Sequence, residues 1–203
     1  MSSENVTGGD NQQETASPRH LIDASWVVGF VDGEGCFSVS IHRNPFVRRT
    51  PGWQILPVFQ VYQHGDHRDV LEELGRFFEC GSVRSKGPHS SVWTYAVSGL
   101  LRLERHVIPF FEQHPLRVKQ QDFQVFAAIV RSLRRKEHLE PRGFERVVRL
   151  AYGMNAQGKQ RSRSLEIILA GSSETVRQAP STITTTKIQS DLYGDMQSQA
   201  EMT

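Results

Sequence analysis

Cysteine is scarce in this chain: Cys36 and Cys80 are its two thiols among 203 residues. Two cysteines make neither a disulfide framework nor a four-cysteine zinc site, so both read as reduced thiols in a cytosol-like compartment. Long apolar runs are also missing. None approaches the length a bilayer span needs, which excludes a membrane helix and a membrane partner. The first twenty residues hold no apolar stretch of the secretion-signal kind. They are poor in arginine and carry acids, which argues against a transit peptide. The chain therefore reads as soluble and intracellular, in a bacterial cytoplasm or an organelle matrix. Net charge is small, at +2. That total decides nothing, but its distribution is uneven. Between Leu101 and Ser164 basic residues outnumber acids by more than two to one, and Arg43, Arg48 and Arg49 cluster around a proline-containing loop. Local positive charge of this kind is either a solvated face or the footprint of a polyanionic partner.

What is present divides into three parts. Residues 1–20 are Ser, Gly, Gln and Asn with hardly any apolar content and read as a disordered arm. Residues 21–175 read as a single domain, and 176–203 as a polar, disordered tail. Within the domain the hydrophobic period alternates between helix and strand. A helix is predicted over 24–33. Strands follow over 36–43 and 53–63, then a helix over 67–79, strands over 82–86 and 92–98, and helices over 100–112, 117–136 and 141–153. This order, αββαββ followed by helices, is an α+β plan with helices on one face of an antiparallel sheet.

Side-chain alternation then sorts the strands into faces. Phe37, Val39, Ile41, Ile55, Phe59 and Val61 turn towards the core. Ser38, Ser40, His42, Gln54, Gln60, Arg84, Lys86 and Thr94 turn the other way. Antiparallel sheets often leave one face to solvent. These side-chain types also hydrogen-bond base edges and phosphates, and a β-ribbon fits the major groove. The predicted outer face has no Asp or Glu, which tips the balance towards double-stranded DNA.

The most informative segment runs from Trp26 to Phe37. Its apolar helix ends in two acids, Asp32 and Glu34, among glycines. The C-terminal end of a helix already carries partial negative charge, so acids there are unfavourable. Something positive, most simply a metal ion, is expected to offset them. His64 and His67 form an H-x-x-H pair, but with no Cys or third His nearby they read as exposed turn residues rather than a zinc site.

Val27-Val-Gly-Phe-Val-Asp-Gly-Glu-Gly35, followed by Cys36-Phe37, resembles the motif of the LAGLIDADG homing endonucleases. Four further segments resemble later parts of that family in the same order: Val58–Gln63, Gly81–Gly87, Pro115–Phe123 and Ser172–Arg177. The resemblance implies an αββαββα fold with a saddle-shaped sheet straddling the DNA major groove. It implies site-specific, metal-dependent double-strand cleavage of the intron-homing type. Only one copy of the motif is found, so a homodimer on a palindromic or near-palindromic site is expected. Trp26, Gly29, Phe30 and Asp32 would form its interface. Gly29 costs about 1 kcal/mol against alanine in a helix, which either lets two helices approach or lets this one pack on its own sheet.

By the same resemblance Glu34 is the metal-binding carboxylate, and the Gly33 carbonyl is a further ligand. Gln63 orients solvent, and Lys119 is the basic catalytic residue. Oxygen ligands suit Mg²⁺, or another divalent cation such as Mn²⁺. The competing reading is a non-cleaving nucleic-acid binder, such as an intron RNA maturase or a DNA-binding regulator. Such a protein would be free to lose Glu34, Gln63 or Lys119, and all three are present.

Overall fold

The computed structural model describes residues 22–47, 50, 52–154 and 163–170. The predicted N-terminal arm, the C-terminal tail, Arg48, Arg49 and the Ser172–Arg177 segment lie outside the described residues. Helix α1 spans Ala24–Glu34, and the Asp23 carboxylate caps it by accepting the Trp26 N–H at 2.8 Å. Strand β1, Gly35–Arg43, follows with no loop. Only glycine permits that reversal, because a Cβ on Gly35 would lie 2.6 Å from the Val31 side chain and carbonyl oxygen. The long hairpin continues into β2, Trp53–His64, with pairs from Gly35↔Val61 to Arg43↔Trp53.

A short 3₁₀ turn, Gly65–His67, leads into α2, Arg68–Phe78. Gly81 then takes a φ of +90°, and its Cα sits where a side chain would strike the Tyr95 ring at 2.6 Å. Strands β3, Ser82–Ser85, and β4, Val92–Ser98, complete one antiparallel sheet in the order β1-β2-β4-β3. The helical remainder begins with α3, Leu100–Arg102, which passes through a π-turn at Leu103–Val107 into α4, Ile108–Gln113. Helices α5, Gln120–Arg134, and α6, Pro141–Gly153, follow, and helical residues 165–170 bring Ile168 into the core. Among the described residues no helix is long and apolar enough to cross a membrane.

The α+β order therefore matches the expectation, with two local differences. The helix expected from Arg117 begins at Gln120, because residues 117–119 form a strap tied to α1 instead. The helix expected over 100–112 contains the π-turn, which hydrophobic spacing does not reveal.

The odd-numbered residues of β1 and β2 meet the helices, as alternation predicts. Phe37 stands at the centre, with ring centroids of Phe59 at 5.2 Å, Phe126 at 5.3 Å, Phe123 at 5.5 Å and Phe111 at 5.6 Å. This cluster ties β1 and β2 to α4 and α5, and so fixes the start of β1 relative to the start of α5. Phe37→Ala is expected to cost about 3–5 kcal/mol in chemical denaturation. Phe46→Ala, at a hairpin residue that is 90% exposed, should change stability by no more than about 0.5 kcal/mol.

Candidate active site and nucleic-acid interface

Polar groups bond densely at the end of α1. The Lys119 ammonium donates to the carbonyl oxygens of Val31 at 3.2 Å and Gly33 at 3.1 Å, and also to that of Asp32. In the reverse direction the Asp32 carboxylate accepts three consecutive backbone N–H groups. These are Arg117 at 2.7 Å, Val118 at 3.2 Å and Lys119 at 3.1 Å. Burial pushes the Asp32 carboxyl pKa up, but the bonds from Arg117, Lys119 and Val118, with the Lys119 charge, outweigh it and hold the pKa below the ordinary value.

The positive charge expected beside the two acids is thus partly supplied within the chain, by Lys119. Asp32, expected at a dimer interface, gives its oxygens to the 117–119 strap within the chain.

Glu34 is the last residue of α1 and is exposed. Among the described residues no group bonds its carboxylate. Gln63 lies on β2, two residues beyond Gly35↔Val61, and so opposite the α1–β1 junction. It has the same parity as Phe59 and Val61, and its side-chain oxygen accepts the His64 backbone N–H at 2.8 Å. Glu34, Gln63 and Lys119 are therefore gathered at one end of the sheet. Cys36 follows close behind; burial raises its thiol pKa, which suits a quiet space-filling group.

No cluster of three or more His, Cys, Asp or Glu exists among the described residues. The Glu34 carboxylate and the Gly33 carbonyl could supply oxygens to a cation at this end. So few protein oxygens suit a hard cation that keeps several waters and takes phosphate oxygens, as Mg²⁺ does. The Gly33 carbonyl now accepts from Lys119, so a cation there would have to displace that bond.

The register tests the predicted recognition face. Ser38 lies opposite Val58, Ser40 opposite Leu56 and His42 opposite Gln54; Gln60 lies opposite Ala96, and Arg84 opposite Thr94. All of these share the face turned from the helices. Lys86 continues it past the end of β3, with its ammonium 5.2 Å from the Tyr62 ring centre. The Ser38 and Ser40 hydroxyls donate to the carbonyls of Val58 and Leu56 at 3.2 and 3.4 Å.

Two of the expected contact residues sit differently from the others. Arg43 pairs with Trp53 on the opposite, helix-side face, and its guanidinium stacks 4.6 Å from the Trp53 ring centre. Thr94 has the right parity but is only 4% exposed, flanked in register by Tyr62 and Arg84. Tyr62 and Leu56 belong to the face and were missed, although their parity with Gln60 would have revealed them. Tyr62 donates its hydroxyl to the Gln60 side-chain oxygen at 2.9 Å.

The outer face of α1 is open. Only Val27 and Val31 are buried. Trp26, 39% exposed, stacks on Phe30 with ring centroids 4.7 Å apart. A Cβ added at Gly29 or Gly33 would meet nothing within 4 Å, so packing on the chain's own sheet does not explain Gly29. In dilute monomeric protein, Gly29→Ala should therefore stabilise the fold by up to about 1 kcal/mol. Destabilisation in thermal melts would show a contact that this geometry lacks.

Residues 27–130 match the family model described as LAGLIDADG endonuclease. Homing endonuclease I-ApeII from Aeropyrum pernix is 32% identical over 148 residues, covering 71% of this chain and 86% of that protein. The crystal structure of homing endonuclease I-TnaI is 36% identical with a TM-score of 0.63, over 75% of this chain and 97% of that one. The archaeal intron-encoded homing endonuclease I-Vdi141I, complexed with DNA, is 28% identical with a TM-score of 0.68, over 74% of this chain and 94% of that one. With its motif at the α1–β1 junction, its four-stranded sheet and these matches, the chain belongs to the LAGLIDADG endonuclease family.

Proposed function

We propose that this protein is a site-specific double-strand DNA endonuclease of the intron-homing type, working as a homodimer with Mg²⁺ or a similar divalent cation such as Mn²⁺. The observation that carries the reading is an acid-free polar sheet face that runs towards the α1–β1 junction, the end of the sheet at which Glu34, Gln63 and Lys119 lie. Duplex DNA laid along that face would bring a phosphate to that junction.

In the major groove, His42, Gln54, Gln60, Ser38 and Ser40 would address base edges, and Arg84 and Lys86 would address phosphates or guanine. Tyr62 supports the Gln60 amide. At the junction Glu34 and the Gly33 carbonyl would hold the cation. When bound, it lowers the pKa of water and offsets charge on the phosphate. Lys119 places a fixed positive charge where negative charge develops on the phosphate oxygens. Gln63, at the strand end, can orient the attacking water once its oxygen leaves the His64 N–H.

The dimer reading is supported by the outer face of α1. Gly29 and Gly33 lie four residues apart and therefore on one face of the helix, and neither is needed for packing within the chain. That gap suits a second copy of the helix, with Trp26 and Phe30 beside it. Two-fold packing there would set two Glu34 residues near one axis, and the target would be palindromic or nearly so. A maturase or a regulator would use the same face for RNA or DNA without chemistry. The retained Glu34, with a carboxylate free of partners among the described residues, favours the nuclease.

Glu34→Gln should abolish cation-dependent cleavage and leave DNA binding within about threefold, since one lost contact of this kind acts on the reaction rather than on the groove. Retained cleavage would refute the metal assignment. Gly29→Leu should shift the protein to monomer in sedimentation, whereas an unchanged dimer would move the interface elsewhere. Arg84→Ala and Lys86→Ala should each lower the salt slope of DNA binding by about 1; slopes equal to wild type would remove both from the phosphate contacts.

A further inference from the structure

We infer that Asp32 is a positioning residue that acts through Lys119, and that it places the Lys119 ammonium at the end of α1. This rests on the nuclease reading for its consequence but on geometry for its substance.

The strap that carries Lys119 has little backbone support of its own. Pro115 has no N–H. The Leu116 N–H goes to the Gln120 side-chain oxygen at 3.0 Å. The next three N–H groups, Arg117 to Lys119, all go to Asp32. From 115 to 119, therefore, every backbone N–H donates to a side-chain oxygen, and three of the four to one carboxylate. Leu116, 4% exposed, is the strap's apolar anchor, while Val118 points outward at 79% exposure.

Lysine is a flexible four-carbon stem with a point charge. Its ammonium is confined only if its backbone is fixed as well. Here the two bonds sets close a ring: the carboxylate of α1 holds the strap's N–H groups, and the strap's ammonium holds the carbonyls of α1. Asp32 thus gives its oxygens to the strap, yet would set the position of the charge beside the phosphate. Its place two residues before Glu34 means that one helix turn carries both the cation's carboxylate and the anchor for the lysine.

The test compares Asp32→Asn and Asp32→Ala with Lys119→Ala and the double variant Asp32→Ala/Lys119→Ala. If Asp32 acts through Lys119, both Asp32 variants lose cleavage rate at saturating DNA by about tenfold or more, with DNA affinity within about threefold. The double variant is then no slower than Lys119→Ala alone. Amide hydrogen exchange at 117–119 should quicken at least about tenfold, while the amides of β2 stay protected. A multiplicative loss in the double variant, a loss confined to DNA affinity, or unchanged exchange at 117–119 would overturn the inference. If Asp32→Ala fails to fold, Asp32→Asn, which keeps one acceptor oxygen, carries the comparison. The exchange arm needs no cleavage. Faster exchange in the variants of a protein whose wild type never cuts DNA would support the clasp and reject the nuclease reading.

Discussion

The carbonyl end of α1 cannot be left bare, and the rest of the site depends on how it is closed. Three carbonyls there point along the helix axis with partial negative charge, and two carboxylates follow within the same turn. The fold answers with Lys119 on the carbonyls and three N–H groups on Asp32. That exchange welds the start of α5 to the end of α1, across 85 to 88 residues of sequence. Once the weld is made, Gly35 turns the chain straight into β1. Glu34 is left at the corner, exposed, with the sheet running away from it.

From that corner the order of the other parts follows. β1 begins at Gly35, so the register places Gln63 two residues past the last β1–β2 pair, at the same end. Strand alternation then decides what each residue can touch. Odd positions enter the Phe37 aromatic cluster, and even positions build the outer face. The two faces are joined by a single pleat, so a core substitution at Phe37 would also tilt Ser38 and its neighbours. A chain with one motif has one such corner. Its glycine-bearing helix face offers room for a second copy, which suits an enzyme that must cut two strands.

Much of this architecture was legible in the sequence, because long periodic segments declare their own type. The hairpin strands, α2 and α6 fall where alternation and helical spacing put them. The outer face was largely legible too, from parity alone. Arg43 was grouped with the loop by its charge, whereas its odd number places it with Ile41 on the helix side. The low exposure of Thr94 was not legible, because exposure depends on neighbours across two registers, and register is a tertiary fact. The roles of Gln63 and Lys119 came from family resemblance; no spacing rule links residue 34 to residues 63 and 119. The partner of Asp32 was illegible for the same reason: a carboxylate can bind any backbone N–H, and nothing in a linear chain says which three will reach it.

The central claim is that the outer sheet face carries DNA to the Glu34 corner of two chains at once. The most direct measurement is cleavage of a randomised plasmid library by the purified protein with Mg²⁺, with both ends of every break sequenced. The account predicts breaks at one sequence class with approximate two-fold symmetry, one cut in each strand placed symmetrically about its centre. Tight, salt-sensitive binding to a defined DNA or RNA with no strand broken under any divalent cation would contradict it.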